Sequence, residues 1–296
     1  MLKIGLLLIL GIVGPTLQAE TAYPPNDAKP ARIAIIIDDL GYNLSRGLTA
    51  ARFPGALTLA VLPHSPNGVA LAELGYEQGK EIMLHAPMST LKQRPLDPGG
   101  LTPAMTHAEF VSTLRNNLAA IPHVTGLNNH MGSHLTQLVR PMAWLMMELR
   151  RENLFFVDSR TSPGSIAWET AQREAIPSLK RDIFLDNVRQ DAAIEKQLRK
   201  LILIASERGW ALAIGHPYPE TLSVLKHWVP ELAGLGIELV GVSQLLPSTA
   251  SEPLSEPAPV HQSKIAVSTA GASSEDGTLL NTPSFDAQNP LDTPQN

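Results

Sequence analysis

The chain has 296 residues, 44% of them hydrophobic and 17% charged, with a net charge of −5 at neutral pH. This is globular composition, not that of a disordered or fibrous chain, and the acidic balance excludes the broad basic footprint that nucleic-acid binding needs. There is no cysteine. Disulfides, thiolate metal sites and a cysteine nucleophile are therefore excluded, and any transition metal must be held by histidines and carboxylates.

The N-terminus reads as an export signal, residues 1–19. Lys3 supplies a positive charge, residues 4–14 form a short apolar run, and Ala19 offers a small residue for cleavage. No apolar run reaches the roughly 18 residues of a transmembrane helix, so no stable membrane span is expected after cleavage. The expected location is exported and periplasmic. Residues 20–31 are polar and Pro-rich, as in a linker. Residues 32–247 carry the apolar periodicity of a single domain. Residues 248–296 are rich in Ser, Thr and Pro, with six acidic residues against Lys264 alone. Such composition predicts a disordered acidic tail.

Within the domain the pattern alternates. Residues 32–38 form a β-branched run typical of a strand buried on both faces. A helix is predicted at 44–52, a strand at 56–62, a helix at 67–78 and a third strand at 81–84. A Pro/Gly-rich loop follows. Thr106 and Glu109 have capping-box spacing for a helix running to 120. A fourth strand is predicted at 124–127, a long helix at 135–152 and a fifth strand at 154–157. A short sixth strand falls within 179–185, then a helix at 192–208, a strand at 210–214, a helix at 219–232 and a last strand at 237–240. Trp144, Met146, Met147 and Leu149 are read as helix core. Strands alternating with helices imply parallel pairing and right-handed crossovers. Seven or eight such units in this span predict a closed or nearly closed barrel, with an open doubly wound sheet as the alternative.

In parallel α/β folds reactive groups gather at the C-terminal strand ends. Here those ends carry Asp38-Asp39, His64, His85, His130 with His134 four residues on, Asp158 with Arg160, Asp182 with Asp186, and His216. A ring of Asp and His at one barrel mouth is what a hydrolytic metal site needs. Adjacent Asp38 and Asp39 point in different directions from an extended strand, so one can bind metal while the other faces substrate. His130 and His134 share a face if a helix begins there. One Asp and two His leave open positions for water and substrate. A separate His across the mouth can protonate a leaving group. Tyr42 and Tyr218 lie just past these motifs, where a ring can stack on a sugar.

These residues resemble the NodB-like carbohydrate esterases, and most closely the divergent polysaccharide deacetylase family, over about residues 33–246. Ile35-Ile36-Ile37-Asp38-Asp39 is similar to the family's first motif, His130-Met131-Gly132-Ser133-His134 to its second, and Ala213-Ile214-Gly215-His216-Pro217 to its last. The resemblance implies an α/β fold, a deformed (β/α) barrel of about seven strands. It implies Asp38 as general base and His216 as general acid. Asp39, His130 and His134 become ligands of one divalent metal, zinc. From the strand-end reading, and beyond the family's motifs, His85, His64, Asp158 and Arg160 are expected as additional site residues, with Arg160 or Asp158 orienting Asp38 or His216. The implied activity is removal of acetyl groups from an envelope glycan, hydrolysing a non-peptide C–N bond or an acetyl ester. The alternative is a barrel with little turnover that binds glycan or regulates the envelope. A serine hydrolase built on Ser159 lacks the G-x-S-x-G nucleophile elbow.

Overall fold

The structure, a computed structural model, describes residues 29–247. The predicted signal, most of the linker and the acidic tail lie outside these residues. The elements in chain order are β1 (Ala31–Leu40), α1 (Leu44–Ala51), β2 (Thr58–Val61), α2 (Gly68–Glu77), β3 (Glu81–Met88), α3 (His107–Ala119), β4 (Val124–Met131), α4 (Val139–Arg151), β5 (Phe155–Asp158), α5 (Ala167–Arg173), β6 (Ser178–Lys180), β7 (Ile183–Phe184), α6 (Asp191–Arg208), β8 (Trp210–Gly215), α7 (Pro219–Trp228) and β9 (Ile237–Val240).

Every strand pair is parallel. The order is β6-β5-β4-β3-β2-β1-β8-β7, with β9 paired to the first half of β1. The two edge strands, β6 and β7, are consecutive in the chain and joined only by Arg181 and Asp182. Three residue steps span at most about 11 Å, so the sheet must curl until its edges nearly meet. β6 and β7 are thus two halves of one predicted strand, the first paired with β5 and the second with β8. Counted this way, seven staves form the deformed barrel that the sequence predicts.

The alternation of β1 explains both its cores. Ile33, Ile35 and Ile37 pack outward under the helices, whereas Ala34 and Ile36 join Ala60, Met83, Phe155, Val157, Leu212 and Ile214 inside the barrel. Because successive side chains point to opposite faces, carrying the inner set two residues further along four strands gives Asp38, His85, Ser159 and His216. The polar mouth is therefore the next layer of the same barrel interior.

Some elements differ from expectation. The helix predicted at 135–152 is broken: a 3-10 turn, Leu135–Gln137, precedes α4, and Leu138 is extended. Pro141 has no N–H to offer the Gln137 carbonyl, so it fits only within the first turn of a newly started helix. Within α4, Met146 and Leu149 are buried and Trp144 partly so, but Met147 is 53% exposed and not core. The helix predicted at 219–232 ends at Trp228, just before Pro230. Helix α5 was unpredicted, being only seven residues long. The Thr106–Glu109 capping box is present in both directions.

Candidate active site

The site begins with an irregularity in β1. Ile37 pairs with Leu59 but Leu40 pairs with Val61, so β1 carries one extra residue there. Such a bulge re-aims side chains, and Asp39 takes a left-handed φ of 60°, which Asp tolerates better than most residues. The adjacent carboxylates therefore do not diverge to opposite faces. Both reach His85, whose Nε2 lies 3.7 Å from Asp38 Oδ2 and 3.1 Å from Asp39 Oδ1.

Asp39 Oδ1, His85 Nε2 and His130 Nδ1 form a triangle. The Asp39–His130 edge is 2.9 Å and the His85–His130 edge is 3.0 Å. These are the residues, among those described, whose ligand-capable atoms cluster as a metal site would require. Zinc bonds of about 2.0–2.2 Å reach all three corners from one point, and a carboxylate with two imidazoles is a donor set that zinc accepts. The residues fit the implied cation.

His134 is not in this cluster. Its expected partnership with His130 assumed a helix, but β4 continues through Met131, so His130 sits on a strand. His134 comes after two left-handed residues, Met131 and Gly132, and precedes the 3-10 turn. The i, i+4 geometry is therefore absent. His85 takes the third corner. Because β3 runs to Met88, paired along β4 to Met131, His85 and His130 are held in one rigid ladder.

Each imidazole has an outer partner. Asn128 Oδ1 lies 2.7 Å from His85 Nδ1, and Asp97 Oδ2 lies 3.2 Å from His130 Nε2. His216 Nε2 faces the triangle, 3.6 Å from Asp39 Oδ2. Its Nδ1 lies 2.9 Å from Asp186 Oδ1, and its backbone N–H donates to Asp186 Oδ2. Asp186 is fully buried and also accepts from Thr221 Oγ1 at 2.7 Å. Asp186 thus orients His216, the role the sequence reading assigned to Asp158 or Arg160.

Those two residues organise the β5–α5 loop. Asp158 accepts from Arg160 N, Ser165 Oγ and Trp168 N. The Arg160 guanidinium donates to the Ser165 and Pro163 carbonyls. His64 is also apart, its ring 3.0 Å from Asn117 Oδ1 on α3. Asp38 is instead held by Asn128, which donates Nδ2–H to Asp38 Oδ1 at 2.8 Å. Tyr42 and Tyr218 do stand at the rim. Tyr42 is 48% exposed, and the Tyr218 ring lies 5.3 Å from the His216 ring.

The electrostatics divide the two carboxylates. Burial pushes the Asp38 carboxyl up, and His85, His216 and Asn128 only partly oppose it. Burial also acts to raise Asp39, but hydrogen bonds from His130 and His85 hold it well below the usual carboxylate range. Burial works against a charged His216, yet the Asp186 hydrogen bond and the Asp38 and Asp39 charges raise it. One carboxylate is thus a permanent anion suited to a cation. The other is poised to take a proton, and an imidazole opposite is poised to give one. Sequence reasoning placed Asp186 at a strand end without a role, and gave Asn128 and Asp97 none. Asp186 had a usable signal, since it follows the sixth strand run by two residues.

The sequence profile of the divergent polysaccharide deacetylases matches residues 35–246. An uncharacterized protein of Escherichia coli (strain K12), YibQ, is 37% identical over 215 residues, covering 73% of this chain and 67% of that protein. An uncharacterized protein of Haemophilus influenzae is 34% identical over 215 residues, covering 73% and 76%. The crystal structure of the uncharacterized protein ATU2773 from Agrobacterium tumefaciens C58 superposes with a TM-score of 0.71 at 25% identity, covering 75% of this chain and 92% of that one. With a family profile spanning most of the barrel and all of its mouth residues, the chain belongs to the divergent polysaccharide deacetylase family.

Proposed function

We propose that this protein is an exported, periplasmic hydrolase that removes acetyl groups from an acetylated envelope glycan, with one divalent cation, zinc, held by Asp39, His85 and His130. The observation that carries this reading is the convergence of three ligand atoms within about 3 Å, flanked on one side by buried Asp38 and on the other by the His216–Asp186 pair.

A cation bound there supplies Lewis-acid polarisation of the acetyl carbonyl and acidifies a water. The chain's residues do the rest. Asp38, raised by burial and aligned by Asn128, accepts the water proton as general base. His216, charged and held through Nδ1–H by Asp186, presents Nε2–H to the departing amine or alkoxide. Tyr42 and Tyr218 offer ring faces at the rim for the sugar.

The test is acetate release from a panel of N- and O-acetylated envelope glycans, before and after chelation and after zinc is restored. Acetate release that chelator abolishes and zinc restores is expected. Glycan binding without acetate from any member, with zinc bound, would replace this reading with a binding role.

A further inference from the structure

We infer that Asn128 is a positioning residue that couples the two halves of the site, fixing His85 for the cation with one end of its amide and aligning Asp38 with the other. The inference deepens the reading above and rests on its assignment of His85 as a ligand.

The geometry determines the proton directions. Asn128 Nδ2 is a donor, and it lies 2.8 Å from the Asp38 carboxylate, which accepts. The amide orientation is therefore set, and Asn128 Oδ1 is left as an acceptor. That oxygen lies 2.7 Å from His85 Nδ1, so Nδ1 must carry the hydrogen. Nε2 is then the nitrogen left to meet Asp39 and His130, as a donor in the metal-free chain and through its lone pair where a cation is bound. Asn128 and His85 are 0% and 2% exposed, and Asp38 is 4% exposed. Water has little access to substitute for any of these contacts. The three side chains come from β1, β3 and β4, and Asn128 pairs directly with His85 in the ladder. The arrangement is stiff because two hydrogen bonds and a strand register specify it together. Outer partners of this kind commonly change metal affinity by 10- to 100-fold when removed.

The two ends of the amide can be separated. Asn128→Asp keeps an acceptor for His85 Nδ1–H but removes the N–H that Asp38 receives. Asn128→Leu has similar size and removes both. The measurement is zinc affinity of the full chain by competition with a chromophoric chelator, beside acetate release, with melting of the metal-free proteins as the fold control. Asn128→Leu should bind zinc about 10- to 100-fold more weakly. Asn128→Asp should bind zinc at least as tightly as wild type while its hydrolysis falls. A purely structural role for Asn128 would not produce that split. Wild-type zinc affinity in Asn128→Leu would overturn the inference and leave the metal site standing. If Asn128→Leu does not fold, the Asp variant decides alone: loss of zinc despite the retained acceptor overturns the inference. A wild-type chain that binds no zinc would instead overturn the metal reading, and this inference with it.

Discussion

Asp186→Asn is the sharpest single perturbation of the proposed acid. The wild-type carboxylate is fully buried and accepts three hydrogen bonds: His216 Nδ1–H on Oδ1, and His216 N–H with Thr221 Oγ1–H on Oδ2. An amide of the same size cannot accept on both sides. With its oxygen at the Oδ2 position, the backbone N–H and Thr221 stay bonded, but the NH2 group meets His216 Nδ1. That nitrogen must then become an acceptor, so the ring is held neutral with its proton on Nε2. The alternative orientation sets NH2 against the His216 backbone N–H, leaving a buried donor unpaired. That second outcome costs about 1–3 kcal/mol of stability. Hydrolysis should fall about 10²–10⁴-fold, the usual contribution of a general acid. Acetate release as a function of pH reads the rate, and NMR titration of the imidazole reads the cause. The imidazolium pKa of His216, raised in the wild type, should drop in the variant. An unchanged titration with an unchanged rate would refute the reasoning that Asp186 holds the acid in its charged form.

Three further outcomes are expected. His85→Ala should lose most bound zinc in metal analysis and His134→Ala should retain it, because only His85 places a nitrogen in the ligand triangle; the reverse result would restore His134 as the ligand. In the metal-free protein, burial acts to lower His85 but the Asp38 and Asp39 charges push it up to about 9, against an ordinary value of 6.5. Its contribution to stability is thus complete below about pH 6.5 and is lost as pH rises through about 9; the melting temperature should fall across that window, and saturating zinc, which holds His85 neutral, should remove the slope. Gly126→Ala would place a Cβ 2.4–2.5 Å from carbons of the Phe155 ring; overpacking of this kind costs about 1–3 kcal/mol, and a thermal melt identical to wild type would contradict that packing.

The barrel was legible because its strands are β-branched runs buried on both faces, as in residues 32–38, separated by helices with clear caps such as Thr106–Glu109. The strand-end rule brings Asp38, Asp39, His85, His130 and His216 to one mouth, where the structure also has them, since these continue the inward alternation of Ile36, Met83 and Ile214 or lie beside it. What failed was local. His134 was chosen over His85 on helical spacing and on the motif resemblance, and only the β3–β4 ladder reveals that the chain is still extended at His130. The outer partners were illegible for a different reason. Asn128 meets Asp38 across 90 residues of sequence, and Asp97 reaches His130 from an irregular loop. No short-range period connects them. Asp186 sat in view at a strand end, but its strand is two residues long, too short to give a reliable face.

We propose that Asp39, His85 and His130 hold a catalytic cation at the mouth of the barrel. Anomalous diffraction on either side of the zinc absorption edge, from crystals of the full chain grown with zinc, tests it most directly. One strong peak is expected within bonding distance of Asp39 Oδ1, His85 Nε2 and His130 Nδ1, facing His216 and Asp38. No peak there, or a peak ligated by His134 with His85 left on Asp38 and Asn128 alone, would contradict it.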